Sequence, residues 1–377
     1  MNTNCFGSPK WNSWKDGWAN PNNPNHRLIK GLMISFIEEF ESIVTEYSEI
    51  SPFIGVPNVG HTTTNNPKVK IKFPLAAGFF QTPDMLTENK RLVHFTSFEI
   101  TQEIMGSGLI RLYTPNFGND PHEVSLAADL CNSGKEAGRK GISELFTISF
   151  TEENAIDELT MWKLYGRDGD GVALVFEMIN PIEKWHDWYY GGITYLESEQ
   201  KTRVLSQFED IQGKLEVLKD KFCNQSLVFE VELLAAFAFY KSNLFHPENE
   251  LRLLFRNKLE GNENLFTGHW QDDHMNPKKK CGIRTYHTIN RRLEPAYYCT
   301  YPIYWHLHNL NPEEYWYYSK GPQLRIKKVV FGHNHDQKRV DKMKDWHDAI
   351  LPKLVSQESI KDYSVEFLVS PIRKYFE

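Results

Sequence analysis

The chain has 377 residues, of which 40% are hydrophobic, 24% charged and 14% aromatic. These are ordinary globular values, and they exclude wholesale disorder, a collagen-like repeat and a coiled coil. A formal net charge of −6 excludes a uniformly basic nucleic-acid binder, although a local basic groove stays compatible with it.

The cysteines Cys5, Cys131, Cys223, Cys281 and Cys299 are odd in number, scattered and without a CxxC pair, so a disulfide framework is not expected and a reducing cytoplasm fits. Residues 1–25 hold no apolar leader-like run. The longest apolar runs, such as 233–240, fall far short of the roughly 20 residues a membrane helix needs. The expectation is a cytoplasmic protein that does not enter a membrane.

Taken in chain order, residues 1–27 carry the Asn and Pro clusters of loops. Residues 28–48 place Leu28, Met33, Phe36, Ile37, Phe40, Ile43 and Val44 at helical spacing. Residues 51–89 are interrupted by Pro52, Pro57, Pro67, Pro74 and Pro83, with one strand expected at 69–73. RLVHF (91–95) predicts a buried strand. A helix over 97–108 follows, capped near Thr96 or Ser97 and ended by Gly106 and Gly108. Strands are expected at 109–114 and 145–151, a helix at 157–166, a turn at RDGDG (167–171) and an apolar strand at 172–178. Helices are expected over 199–222 and 227–240, and a strand over 248–255. Residues 256–290 predict a polar loop insertion. A strand at 324–332, a helix at 336–356 and a strand at 363–370 close the chain. Strands and helices mix without regular βαβ spacing, so an α+β fold is expected: two small, mostly antiparallel sheets with surrounding helices. The expected division is an N-terminal helical and irregular extension (1–89), a core (90–335) and a C-terminal helix and strand (336–377).

Several residues could carry chemistry. His94 lies on the first core strand with Thr96 two positions on. Tyr165 and Trp162 lie on the helix before the RDGDG turn. Glu248 and Glu250, two apart on an expected strand, would share one face. Each has a plainer reading: a hydrogen-bonded core histidine, core aromatics, an exposed strand face with Glu250 or Arg252 in a surface ion pair, and for Asn119-Asp120-Pro121 a cap and turn. Lys278–Lys280 with Arg284, Arg291 and Arg292 make a basic patch. It is either a solvated loop or a contact to phosphates. His269, His274, Cys281 and His287 fit no standard zinc spacing.

The segments HFTSFEI, GLIRL, NDPHE, ISFTEE, MW..YG, GVALVFE and KSNLFHPENELRLLF look like a large uncharacterised bacterial domain family of unknown function, over roughly residues 90–335. The same order resembles, more remotely, poly-ADP-ribose polymerases and related ADP-ribosyltransferases. In those a His strand, a helix, a Gly-Leu-Arg strand, an Ile-Tyr-Phe strand, a helix ending in Tyr, an apolar strand and a late Glu follow one another. His94, Thr96, Tyr165 and Glu250 match that order. Ile148 stands for the Tyr of the fourth segment, Phe95 replaces a Gly, and Trp162 stands where a small residue is usual.

The resemblance implies an ADP-ribosyltransferase-like fold and an enzyme that uses NAD as co-substrate. It would modify a macromolecular acceptor, protein or nucleic acid, or cleave NAD outright, as a toxin or phage-defence effector under an inhibitory or activating partner. It implies Glu250 and Glu248 as catalytic residues and His94, Thr96, Tyr165 and Trp162 as NAD contacts, with no metal. The alternatives are a nucleotide-sensing or interaction module without turnover, and a metal-dependent phosphoesterase. The last rests on FGHNHDQ (331–337), which resembles the final Gly-His-x-His motif of calcineurin-like enzymes with His333, His335 and Asp336 as ligands. The companion motifs of those enzymes do not occur upstream.

Overall fold

The structure, a computed structural model, describes residues 35–36, 38–40, 42–43, 46, 58–61, 69–73, 91–117, 145–179, 188–223, 227–231, 238–256, 285–289, 293, 295–307, 310, 321–354 and 363–375. The strands along the chain are β1 (Asn58–His61), β2 (Val69–Phe73), β3 (Arg91–Thr96), β4 (Leu109–Tyr113) and β5 (Leu145–Glu152). They continue with β6 (Val172–Met178), β7 (Trp188–Gly192), β8 (Thr194–Leu196), β9 (Leu227–Val231) and β10 (Tyr240–Ser242). The last are β11 (Leu251–Arg256), β12 (Thr285–Ile289), β13 (Pro295–Pro302), β14 (Leu324–Phe331) and β15 (Glu366–Val369). The helices are α1 (Phe98–Ser107), α2 (Leu159–Leu164), α3 (Ser198–Cys223), α4 (Tyr304–Leu307) and α5 (Gln337–Leu354). None of these is long and apolar enough to cross a membrane.

Two compact units interleave along the chain. One comprises Met1–Pro83, Asp120–Ile142 and Tyr189–Leu244, the other Asp84–Asn119, Ser143–Trp188 and Phe245–Glu377. In the first, β2 pairs antiparallel with β1 and parallel with β9, and β8 pairs parallel with β10. The helix expected over 227–240 is therefore corrected. LVFEV is β-branched and aromatic, and its ladder from Val69↔Leu227 to Phe73↔Val231 holds it extended. Phe36 and Phe40 of the predicted N-terminal helix are fully buried, with the Phe36 ring edge-on to Phe222 of α3 at 5.5 Å.

The second unit holds one mixed sheet in the order β12-β13-β4-β5-β3-β6-β14-β15, with β11 also paired to β5. The pairings along that order, and that of β11 with β5, are antiparallel except β14 with β15. The expected two small sheets are thus one, and β5 is the reason. Its residues Leu145 to Phe150 pair with Arg256 to Leu251 of β11, and its last two, Thr151 and Glu152, pair with Val93 and Leu92 of β3. One long strand fuses two groups that a shorter one would have left separate.

Local chemistry sets the element ends as expected. Ser97 caps α1 by accepting from the Ile100 N–H at 3.2 Å, and Gly108 ends it in the left-handed region at φ 69°. Trp162 on α2 is fully buried among Val93, Ala173, Val175, Val330 and Ile372, edge-on to Phe95 at 5.0 Å. Its indole N–H donates to the Ile156 carbonyl at 2.8 Å.

The RDGDG turn has three consecutive positive-φ residues, Arg167 (48°), Asp168 (53°) and Gly169 (92°). The FGHNHD segment clamps it. The Gly332 N–H donates to the Gly171 carbonyl at 3.0 Å, Asn334 N–H to Gly169 at 3.2 Å, Asn334 Nδ2 to Asp168 at 3.0 Å, and His335 Nε2 to Asp170 at 2.7 Å. A Cβ on Gly332 would lie 2.2 Å from the Gly169 carbonyl oxygen and 2.6 Å from its carbon. Gly332→Ala must therefore push backbone from backbone. We expect it to cost about 1–3 kcal/mol, read as a lowered urea midpoint with an unchanged slope. An unchanged midpoint would show that the clamp is looser than its geometry.

Candidate functional site

Alternation along β3 puts Leu92, His94 and Thr96 on one face and Val93 and Phe95 on the face of the Trp162 core. His94 is half-buried. Its Nδ1 lies 2.9 Å from the Ser149 carbonyl on β5, and its ring is edge-on to Phe150 at 6.0 Å. A carbonyl oxygen can only accept, so Nδ1 carries the hydrogen and Nε2 keeps a lone pair. Burial pushes the His94 pKa down, and the bond to Ser149 opposes this more weakly. The ring is thus neutral at pH 7, with an acceptor nitrogen on a residue that still meets solvent.

Ser149 is exposed, and its hydroxyl donates to Glu250 Oε1 at 2.5 Å. Arg252 opposes Ser149 in the β5–β11 register, and its Nε donates to the same Oε1 at 2.8 Å. The Glu250 and Arg252 side chains are each only 3% exposed. A carboxylate taking two donors in so dry a setting is fixed in place. Beside it, the Tyr165 hydroxyl donates to Glu248 Oε1. Tyr165 is the cap residue of α2, its N–H bonded to the Met161 carbonyl at 2.9 Å.

Several expectations are corrected here. Glu248 and Glu250 do not lie on a strand. Glu248 ends a 3-10 turn over Asn243–Glu248, Asn249 is left-handed at φ 41°, and β11 begins at Leu251. The rigid φ of Pro247 suits the turn, and Asn tolerates the left-handed step. Nor are the two carboxylates an exposed face, being 7% and 4% exposed. Trp162 has no surface to offer a ligand, since it is fully buried in the core. Thr96 is 8% exposed at the end of β3, its carbonyl packed against Gly171.

The sequence reading missed Ser149, which ties His94 to Glu250, and took Arg252 for a surface partner. A lone Ser in LFTISFTE, opposite an Arg two residues after a Glu, was the available signal. Of the rival motif, His335 is 3% exposed with Nε2 committed to a backbone carbonyl, so FGHNHD serves as a clamp here. Among the described residues no group of three His, Cys, Asp or Glu could hold a metal ion. Asn119 to Pro121, His269, His274, Cys281, the side chain of His287, Lys278–Lys280, Arg284, Arg291 and Arg292 lie outside what is described.

Residues 161–253 match a family described as a protein of unknown function (DUF2971). The matched stretch opens at MWKLY and closes in ENELRL, so it holds Tyr165, Glu248, Glu250 and Arg252 but not His94 or Ser149. It is the uncharacterised domain family that the motifs of this stretch resemble. No curated protein matches the chain, and no solved structure does.

Two outcomes follow from the geometry. Arg252→Met keeps length but strands the Glu250 charge in a dry setting, and should cost about 3–5 kcal/mol. The double variant Arg252→Met with Glu250→Gln should recover much of that loss in chemical denaturation. For His94, a lowered folded pKa means that the unfolded chain binds the proton first as pH falls below about 6.5. The stability contributed by neutral His94 is present above that pH and lost below it. Unfolding midpoints at pH 7.5 and 5.5 should therefore differ less in His94→Gln than in the wild type.

Proposed function

We propose that this chain cleaves the nicotinamide–ribose bond of NAD at Glu250 and passes the ADP-ribose to a macromolecular acceptor or to water. The supporting observation is that Ser149 ties together the two residues the motif order assigned to NAD, taking His94 on its carbonyl and Glu250 on its hydroxyl. Residues 94 and 250 are far apart in sequence, and nothing in composition requires them to meet. The C1′–N bond breaks with its electron pair leaving on nicotinamide, and the ribose develops oxocarbenium character. A fixed carboxylate stabilises that charge without reorganising. His94 Nε2, as a neutral acceptor, suits a ribose hydroxyl. Glu248, oriented by the Tyr165 hydroxyl, would receive the proton of the acceptor nucleophile. Tyr165 is half-buried, and its ring would stack on the nicotinamide.

A second reading is a module that binds the nucleotide without turnover. The observation that favours it is the depth of the Glu250–Arg252 pair, which a resting structural role would also explain. Incubating the full chain with labelled NAD and a cell lysate, and reading free nicotinamide and labelled macromolecules, separates the two. Glu250→Gln should lower nicotinamide release by about 10²-fold or more with little change in NAD affinity, since the ground-state ribose is neutral. Binding without release in the wild type would favour the sensing module. No binding at all would remove both.

A further inference from the structure

The RDGDG turn holds two left-handed residues that are not glycine, Arg167 at φ 48° and Asp168 at φ 53°. A side chain makes this conformation costly, and it persists only where the surroundings over-determine it. Strain of this kind clusters beside functional groups. Here it begins two residues after Tyr165, whose hydroxyl donates to Glu248.

The turn closes on Gly166, whose carbonyl accepts from the Gly169 N–H at 2.9 Å and from the Gly171 N–H at 2.8 Å. Gly166 in turn lies against α2, where a Cβ would stand 2.5 Å from Trp162 Cε3. Tyr165 is the residue between α2 and this turn. On the helix side its N–H is held by the Met161 carbonyl at 2.9 Å, and on the other side its direction is set by the turn.

Asn334 holds the strained stretch from outside. Its Nδ2 donates to the Asp168 carbonyl at 3.0 Å and its backbone N–H to the Gly169 carbonyl at 3.2 Å. A carbonyl only accepts, so the amide nitrogen of Asn334, and not its oxygen, faces Asp168. Of the four bonds of the clamp, this side-chain bond is the one that meets a strained residue other than glycine. Asn334 is exposed, so its amide fills no core, and it lies outside the family match at residues 161–253.

We infer that Asn334 is a positioning residue: by pinning Asp168 in the left-handed region it aims the Tyr165 hydroxyl at Glu248. Its consequence for turnover rests on the NAD reading of Tyr165 and Glu248 given above. The aim of the hydroxyl does not.

The test reads that hydroxyl directly. The full chain is labelled with meta-fluorotyrosine, whose fluorine sits beside the hydroxyl, and the Tyr165 fluorine resonance is the one that Tyr165→Phe removes. Glu248→Gln should shift it, which checks that the probe senses the bond. Asn334→Ala should shift it too. Asn334→Asp, which sets a carboxylate oxygen against the Asp168 carbonyl, should shift it further. Ile326→Val, a loss of one buried methyl on β14, should lower the unfolding midpoint and leave the resonance in place.

With labelled NAD, Asn334→Ala should lower nicotinamide release about 10-fold. Added to Tyr165→Ala it should lower release no further, because residues that act through one another are not additive. A resonance unmoved by either Asn334 variant, or moved as far by Ile326→Val, would overturn the inference. A full loss added on top of Tyr165→Ala would overturn it as well, since Asn334 would then act elsewhere. Unchanged release by Asn334→Ala in an active wild type would overturn the catalytic half. If the wild type releases no nicotinamide, the NAD reading fails, and the resonance alone decides whether Asn334 aims the hydroxyl.

Discussion

The arrangement of the second unit turns on a carboxylate and a guanidinium taken out of water together. Glu250 and Arg252 are each 3% exposed at the side chain, with Nε 2.8 Å from Oε1. Desolvating either alone would cost several kcal/mol, and their attraction repays this only where the geometry is good and further bonds are made. Here the further bond comes from Ser149. The pair therefore demands that β11 sit on β5 in the one register that puts Arg252 opposite Ser149. A slip by one residue would turn Arg252 to the other face and bury Leu251 or Leu253 on the wrong side. The pair acts less as a source of stability than as a register lock.

β5 transmits that constraint. Its Ser149 hydroxyl reaches the β11 side through Glu250, while its carbonyl fixes the tautomer of His94 on β3. The two bonds use different atoms of one residue, so the orientation of the His94 ring and the position of Glu250 are set by the same backbone. This is also why the two expected sheets are one: the strand whose middle carries the shared serine continues to pair with β3 at Thr151 and Glu152.

What was legible in the sequence was local. The strand at His94, the Ser97 cap, the Gly108 stop and the helix ending at Tyr165 follow from alternation, capping chemistry and glycine. What was not legible depends on partners distant in sequence. LVFEV at 227–231 sits beside a helical pattern, and only its pairing with Val69–Phe73 settles it as strand. ENE read as strand by alternation, but Pro247 and the left-handed Asn249 delay the strand to Leu251. Trp162 was expected among the NAD contacts. Residues three apart on a helix share a face, but Tyr165 is the cap residue, with φ −123°, and leaves the helix, so Trp162 alone enters the core. The burial of Glu250 could not be read at all, because charge alone predicts exposure and Arg252 as partner was visible only as a neighbour.

One side of β5 carries the serine together with its neighbours on β4 and β13. Thr147, which faces Tyr113, and Ser149, which holds Glu250, are two apart on β5 and so lie on the same side. Thr300 opposes Arg111 on the neighbouring pair of strands, on that side as well. A one-residue slip of β11 would carry Arg252 off this side, so the ion pair that locks the register also fixes what this side of β5 presents.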